Sequence, residues 1–62
     1  MTPDELKARR EALDLSQNDL AQVLGVHKRT VAAWEQGRQA IPNYLDLALQ
    51  TLERKRRKRA RV

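Results

Sequence analysis

Large apolar residues recur along this chain at helical rather than strand spacing. Leu6, Arg10 and Leu13 fall at i, i+4 and i+7, on one face of a first helix. Its start is written in Thr2-Pro3-Asp4-Glu5: a capping threonine, a proline suited to the first helical position, and a glutamate three residues on that completes a capping box. The period is lost near Asp14-Leu15. A second helix opens at Ser16, with Asp19 in a weaker version of the same box, and carries Leu20, Ala21, Val23 and Leu24 as its apolar stripe. Gly25 stops it, because glycine turns left-handed without a Cβ penalty. A third helix begins at His27 or Lys28 and ends at Gly37. Its inward face is Val31 and Trp34, with Val26 packing just ahead of it. At 100° per residue Arg29, Ala32, Ala33 and Gln36 point the other way, with Lys28 and Thr30 on the flanks. A fourth helix starts at Pro42-Asn43, where Asn43 with Asp46 offers a cap. One of its stripes is Leu45, Ala48, Leu49 and Leu52, and the other is Tyr44, Leu47 and Thr51.

Composition sharpens this picture. The chain has 62 residues, which predicts a single small domain with a thin stability margin, and the dominance of Ala, Leu, Glu, Lys, Arg and Gln makes it an all-α one of four or five helices. The absence of cysteine excludes disulfides and thiolate metal sites, and a lone histidine, His27, excludes a multi-histidine zinc site. No metal, cofactor or small-molecule ligand is expected. No acid pair, nucleophile–base pair or glycine-rich phosphate loop stands out, so no enzymatic activity is expected. No apolar run approaches the roughly 20 residues that span a bilayer, and no signal-peptide core follows Met1. The expectation is a soluble cytoplasmic protein without a membrane partner.

Charge adds a direction. The net charge is +5, but residues 1–52 hold six Lys/Arg and seven Asp/Glu, whereas residues 53–62 hold seven Lys/Arg and one glutamate. A near-neutral domain over 1–53 thus precedes a basic tail at 54–62, expected to fray after Glu53 because consecutive like charges repel. Such a tail attracts any polyanion. Two aromatic residues, Trp34 and Tyr44, are too few for single-strand binding by base stacking.

Two short helices joined by a glycine turn, spanning 16–36, have the layout of a DNA-binding helix-turn-helix. An arginine fork matches the O6 and N7 acceptors of guanine, which makes Arg29, first on the outward face of helix 3, the best base reader. Lys28 can read guanine or hold a phosphate. Ala32 and Ala33 are small enough to allow close approach to the groove, and the start of helix 2 suits a phosphate.

The stretch LSQNDLAQVLGVHKRTVAAWEQGRQAIP resembles the helix-turn-helix of the phage repressor and Cro family, also called the XRE family, through Leu15-Ser16-Gln17, Leu20-Ala21, Leu24-Gly25-Val26, Thr30-Val31 and Trp34-Glu35 followed by Gly37. The resemblance implies a compact repressor-like domain in which Gln17 holds a phosphate and Lys28, Arg29 and Ala33 touch bases. Ala32 lies near the groove floor, and the loop from Arg38 through Gln39 to Asn43 meets the DNA backbone. It also implies a buried ion pair between Arg10 and Glu35. His27 stands where the family usually has Ser, Thr or Asp as a cap. Together with Thr30 and Gln36 it is expected to contact the DNA backbone. Tyr44, Leu47 and Thr51 are expected to serve a homodimer. The function expected is a sequence-specific, double-stranded DNA-binding transcriptional regulator, a dimeric repressor of bacterial, phage or plasmid origin reading a pseudo-palindrome with helix 3. The alternative is a protein-interaction module, an antitoxin or coactivator-like adaptor, whose tail alone binds nucleic acid.

Overall fold

The computed structural model describes the backbone of residues 1–61 and the side chains of residues 1–55. Four helices follow one another: α1 (Pro3–Ala12), α2 (Gln17–Leu24), α3 (Lys28–Glu35) and α4 (Tyr44–Arg61). No strand occurs among the described residues.

Local chemistry sets most of the boundaries. At the start of α1 the Thr2 hydroxyl accepts from the Glu5 amide at 3.1 Å, and the Glu5 carboxylate accepts from the Thr2 amide at 3.3 Å. Ser16 and Asp19 repeat this reciprocal arrangement at the start of α2, with both bonds at 3.0 Å. These bonds satisfy amides that a helix start leaves without partners. The Asp19 carboxyl sits below its ordinary range, the Ser16 amide contributing most and the Ser16 hydroxyl next, with desolvation opposing.

The two helix-turn-helix elements end alike. Gly25 takes φ +73°, and the amides of Gly25 and Val26 turn back to the carbonyls of Gln22 and Ala21. Gly37 takes φ +76°, and the amides of Gly37 and Arg38 turn back to Trp34 and Ala33. Both are Schellman closures, which a left-handed residue makes possible. A Cβ built at Gly25 meets nothing within 4 Å, so the cost of a side chain there is purely backbone. Gly25→Ala is therefore expected to destabilise by about 1–2 kcal/mol, a melting-temperature loss of roughly 4–16 °C for a domain this small, measured by thermal circular dichroism.

The core is formed by Leu6, Leu13, Leu20, Ala21, Val31, Trp34, Leu45 and Leu49, flanked by Leu15, Leu24, Val26, Ile41 and Leu52. α2 packs chiefly against α3, and α1 also rests on α3. Trp34 and Val31 face this core, so the opposite side of α3 is turned to solvent.

The structure departs from the sequence expectation in four places. Val23 was expected on the apolar stripe of α2 but is 53% exposed, because Leu20, Ala21 and Leu24 fill the arc that meets α3. Asp14 carries the left-handed turn after α1, at φ +58°, where no glycine signals it. Aspartate tolerates that region better than most residues. α4 starts at Tyr44 rather than at Pro42-Asn43, with the Leu45 amide bonded to the Pro42 carbonyl at 3.1 Å, and Asp46 is turned to Arg9 instead of helping Asn43 to cap. Finally, α4 runs past Glu53 through Arg61 as one helix, and no fifth helix forms among the described residues. Lysine and arginine are good helix formers and suit a helix C-terminus.

Candidate nucleic-acid interface

The start of α3 is built by His27. Its backbone is extended, and its Nδ1 accepts the Arg29 amide at 3.1 Å, while its carbonyl accepts the Thr30 amide at 2.9 Å. Histidine thus caps the helix with a ring nitrogen where a hydroxyl or carboxylate commonly stands. With Nδ1 accepting, the neutral ring carries its hydrogen on Nε2, a donor on an exposed residue. The cap orders the turn that displays Lys28 and Arg29, both exposed. Thr30, Ala32 and Ala33 are half-buried, and Gln36 is exposed at the far end of the helix. The side of α3 away from the core therefore offers two cations at its start, then two small residues, then an amide.

A polar network ties this helix to the rest of the domain. The Arg10 guanidinium donates Nε to Glu35 Oε2 at 2.7 Å and Nη2 to Glu35 Oε1 at 3.2 Å. Its Nη1 donates to the Leu15 carbonyl at 2.8 Å. The side chains of Arg10 and Glu35 are only 10% and 5% exposed, so the pair is largely shielded from water. The Glu35 hydrogen bonds raise the Arg10 pKa above its ordinary value, which keeps it charged throughout the working range. Gln17 joins the same carboxylate, donating Nε2 to Glu35 Oε1 at 3.1 Å. The first residue of α2 is thus held against the last residue of α3. One amide N–H of Gln17 is engaged there.

The loop after α3 is tied to α3 through its backbone. The Arg38 and Gln39 amides both reach the Ala33 carbonyl, at 2.9 and 3.4 Å, while both side chains are exposed. Asn43 is exposed just before α4. On α4 itself Tyr44 and Leu47 are 55% and 65% exposed, and the Thr51 hydroxyl donates to the Leu47 carbonyl at 3.1 Å, within its own helix.

Sequence reasoning missed a second arginine. Arg9 Nε and Nη2 grip Glu53 at 3.1 and 3.0 Å, and Arg9 Nη1 reaches Asp46 Oδ1 at 2.6 Å. One side chain of α1 thereby clamps two carboxylates on α4. The partners lie 37 and 44 residues away in sequence, so no local pattern announces them. The Arg9 hydrogen bond is the main reason that the Asp46 carboxyl sits below its ordinary range. Desolvation, the next largest influence, opposes it, while the Arg9 charge, a Gln50 hydrogen bond and the N-terminus add to it. A carboxyl with a depressed folded-state pKa contributes stability above its unfolded value and loses it as pH falls through the folded value. Thermal stability is therefore expected to decline from about pH 4 downward. Asp46→Asn should make that decline shallower, as read from melting temperatures at neutral and acid pH. An identical pH profile would mean that the clamp contributes nothing.

The exposed, histidine-capped start of one short helix, braced by a second across a glycine turn, defines a helix-turn-helix DNA-binding protein. The family model described as Helix-turn-helix, HTH_3, matches residues 6–50, and the chain belongs to this family of Cro/C1-type regulators. It is a DNA-binding transcription regulator whose partner is double-stranded DNA. No curated protein and no solved structure matches the chain significantly. No described helix is long and apolar enough to cross a membrane, and no cluster of His, Asp or Glu among the described residues could hold a metal ion.

Proposed function

We propose that the protein is a sequence-specific repressor that binds a pseudo-palindromic operator as a dimer, with α3 in the major groove. The observation that carries this reading is the start of α3: Arg29 stands exposed opposite the buried Val31 and Trp34, with Lys28 exposed on the flank. That arrangement aims two cations outward from a helix that cannot roll without exposing its core residues. Arg29 and Lys28 read base edges, and Ala32 and Ala33 let the helix approach the groove floor. Gln17, His27, Thr30, Gln36, Arg38, Gln39 and Asn43 would contact the backbone, which positions the helix without carrying sequence information. Occlusion of a promoter by such a dimer would make it a repressor.

The dimer reading is supported by Tyr44 and Leu47, large side chains that the fold leaves exposed three residues apart on α4, with Thr51 one turn further. A two-fold pair would set its recognition helices roughly 34 Å apart, one turn of DNA. The test is selection of bound duplexes from a random library at near-physiological salt. The expected result is a palindromic motif with half-sites about ten base pairs apart. Binding without any motif would overturn base reading by α3 and favour an adaptor that holds a protein through this face.

A further inference from the structure

Seven of the eight residues at 54–61 are Lys or Arg. They do not follow the domain on a separate linker. They are the last two turns of α4, which is continuous from Tyr44 to Arg61. The near half of this helix is fixed in the fold by Leu45 and Leu49, both fully buried, and by Leu52 packed against the core. The Arg9 clamp closes on Glu53, the residue directly before the basic run. At 1.5 Å per residue α4 is about 27 Å long. The molecule is only 19 and 17 Å across in its two shorter dimensions, so the far end of α4 projects past the packed core.

We propose that this distal part of α4 is a second DNA contact, a helical cationic arm that grips the phosphates of duplex DNA independently of sequence. The proposal rests on duplex DNA as the partner and adds a contact outside the helix-turn-helix. Seven cations over about 12 Å of helix give one per roughly 1.7 Å, which matches the one negative charge per roughly 1.7 Å of duplex axis. The rest of the chain is poor in such charge. Of the six Lys/Arg at 1–52, Arg9 and Arg10 are held by carboxylates, and Lys28, Arg29 and Arg38 are the exposed cations of the candidate interface. Even if all three neutralised phosphates, they would support a salt slope of only about −3, against seven cations in the arm.

The chemistry of the arm also selects among polyanions. A helix that lies on an anionic membrane needs an apolar face, and after Leu52 the sequence offers only Ala60 and Val62. A single strand is held by stacked bases, and Tyr44, at the opposite end, is the sole aromatic residue of α4. A helix of dense positive charge fits the regular phosphate backbone of a duplex.

The test uses the full chain with Arg54, Lys55, Arg56, Arg57, Lys58 and Arg59 all replaced by glutamine, a good helix former. Its affinity for a labelled duplex of arbitrary sequence is measured by anisotropy across a salt series. The slope of log affinity against log salt is expected to fall in magnitude by up to about 5, and the dissociation constant at about 0.1 M salt to rise tenfold or more. A fall of less than about 2 would overturn the arm. The smaller variant Arg54→Gln/Lys55→Gln, which changes two exposed side chains, should lose about 1–2 in slope and guards against a folding defect in the larger one. Lys7→Gln, which removes a charge from α1, should change the slope by less than about 1. Tighter binding to single-stranded DNA, or to phosphatidylglycerol vesicles at equal phosphate concentration, would also overturn the assignment to duplex. Because the duplex is arbitrary, failure here leaves base reading by Arg29 intact, and loss of the Arg29 effect leaves the arm intact.

Discussion

Arg10→Ala is expected to lower the unfolding free energy by about 3–5 kcal/mol, enough to leave a domain of this size partly unfolded at ordinary temperature. The reason is what stays behind. Glu35 is 5% exposed and would keep a buried negative charge with only the Gln17 amide beside it, while the Leu15 carbonyl would lose the Arg10 Nη1 donor. An unpaired buried charge costs far more than the net gain from the intact pair, because both ions were already desolvated to make it. This asymmetry gives the prediction a second arm. Removing both charges with Arg10→Met and Glu35→Leu together should recover much of the loss, since apolar residues of similar volume replace a buried pair at little cost. Recovery should stop short of wild type because the Leu15 carbonyl and the Gln17 amide still lack their partners. Urea unfolding of the three proteins checks this. A double variant as unstable as Arg10→Ala would show that packing around Arg10, not its charge pair, holds α1 to α3.

Arg29→Ala is the larger effect on function. The side chain is exposed and its amide is held by His27, so truncation should leave stability within about 0.5 kcal/mol of wild type. On the selected operator the loss should be about 1–3 kcal/mol per half-site, a fall in affinity of roughly 5- to 150-fold for each, because one bidentate guanine contact per half-site disappears. Repeating the selection with the variant separates base reading from simple charge loss. If Arg29 reads guanine, the motif should lose that guanine and keep its other positions. If Arg29 only touches phosphate, affinity should fall evenly across sequences and the motif should survive unchanged. The second result would move base recognition to Lys28 and the groove-facing alanines.

The two halves of α4 carry different residues. Its first half supplies Leu45 and Leu49 to the core, with Tyr44 and Leu47 outside. Its second half carries charge. Glu53 marks the transition, and Arg9 holds it with two hydrogen bonds. A helix with so many like charges is disfavoured on its own, so the anchoring of its base by packing and by the clamp stabilises the extension.

Much of the domain was written locally in its sequence. The Thr2–Glu5 and Ser16–Asp19 boxes, the stops at Gly25 and Gly37, and the buried pairing of Val31 with Trp34 all follow from interactions within one or two turns. Such signals depend on backbone geometry that every helix shares, so a reading without coordinates can find them. The exposure of Lys28 and Arg29 followed from the same periodicity, since burying one face of α3 turns the other outward. Only the tertiary structure decided the rest. It turned Gln17 to Glu35, gave Arg9 to Asp46 and Glu53, left Val23 in solvent and made Asp14 the left-handed residue. It also carried α4 as one helix across the boundary at residue 53. These outcomes depend on how helices far apart in sequence are rotated and spaced, which no single helix's pattern encodes. Long side chains such as arginine then choose whichever carboxylates that packing brings within reach.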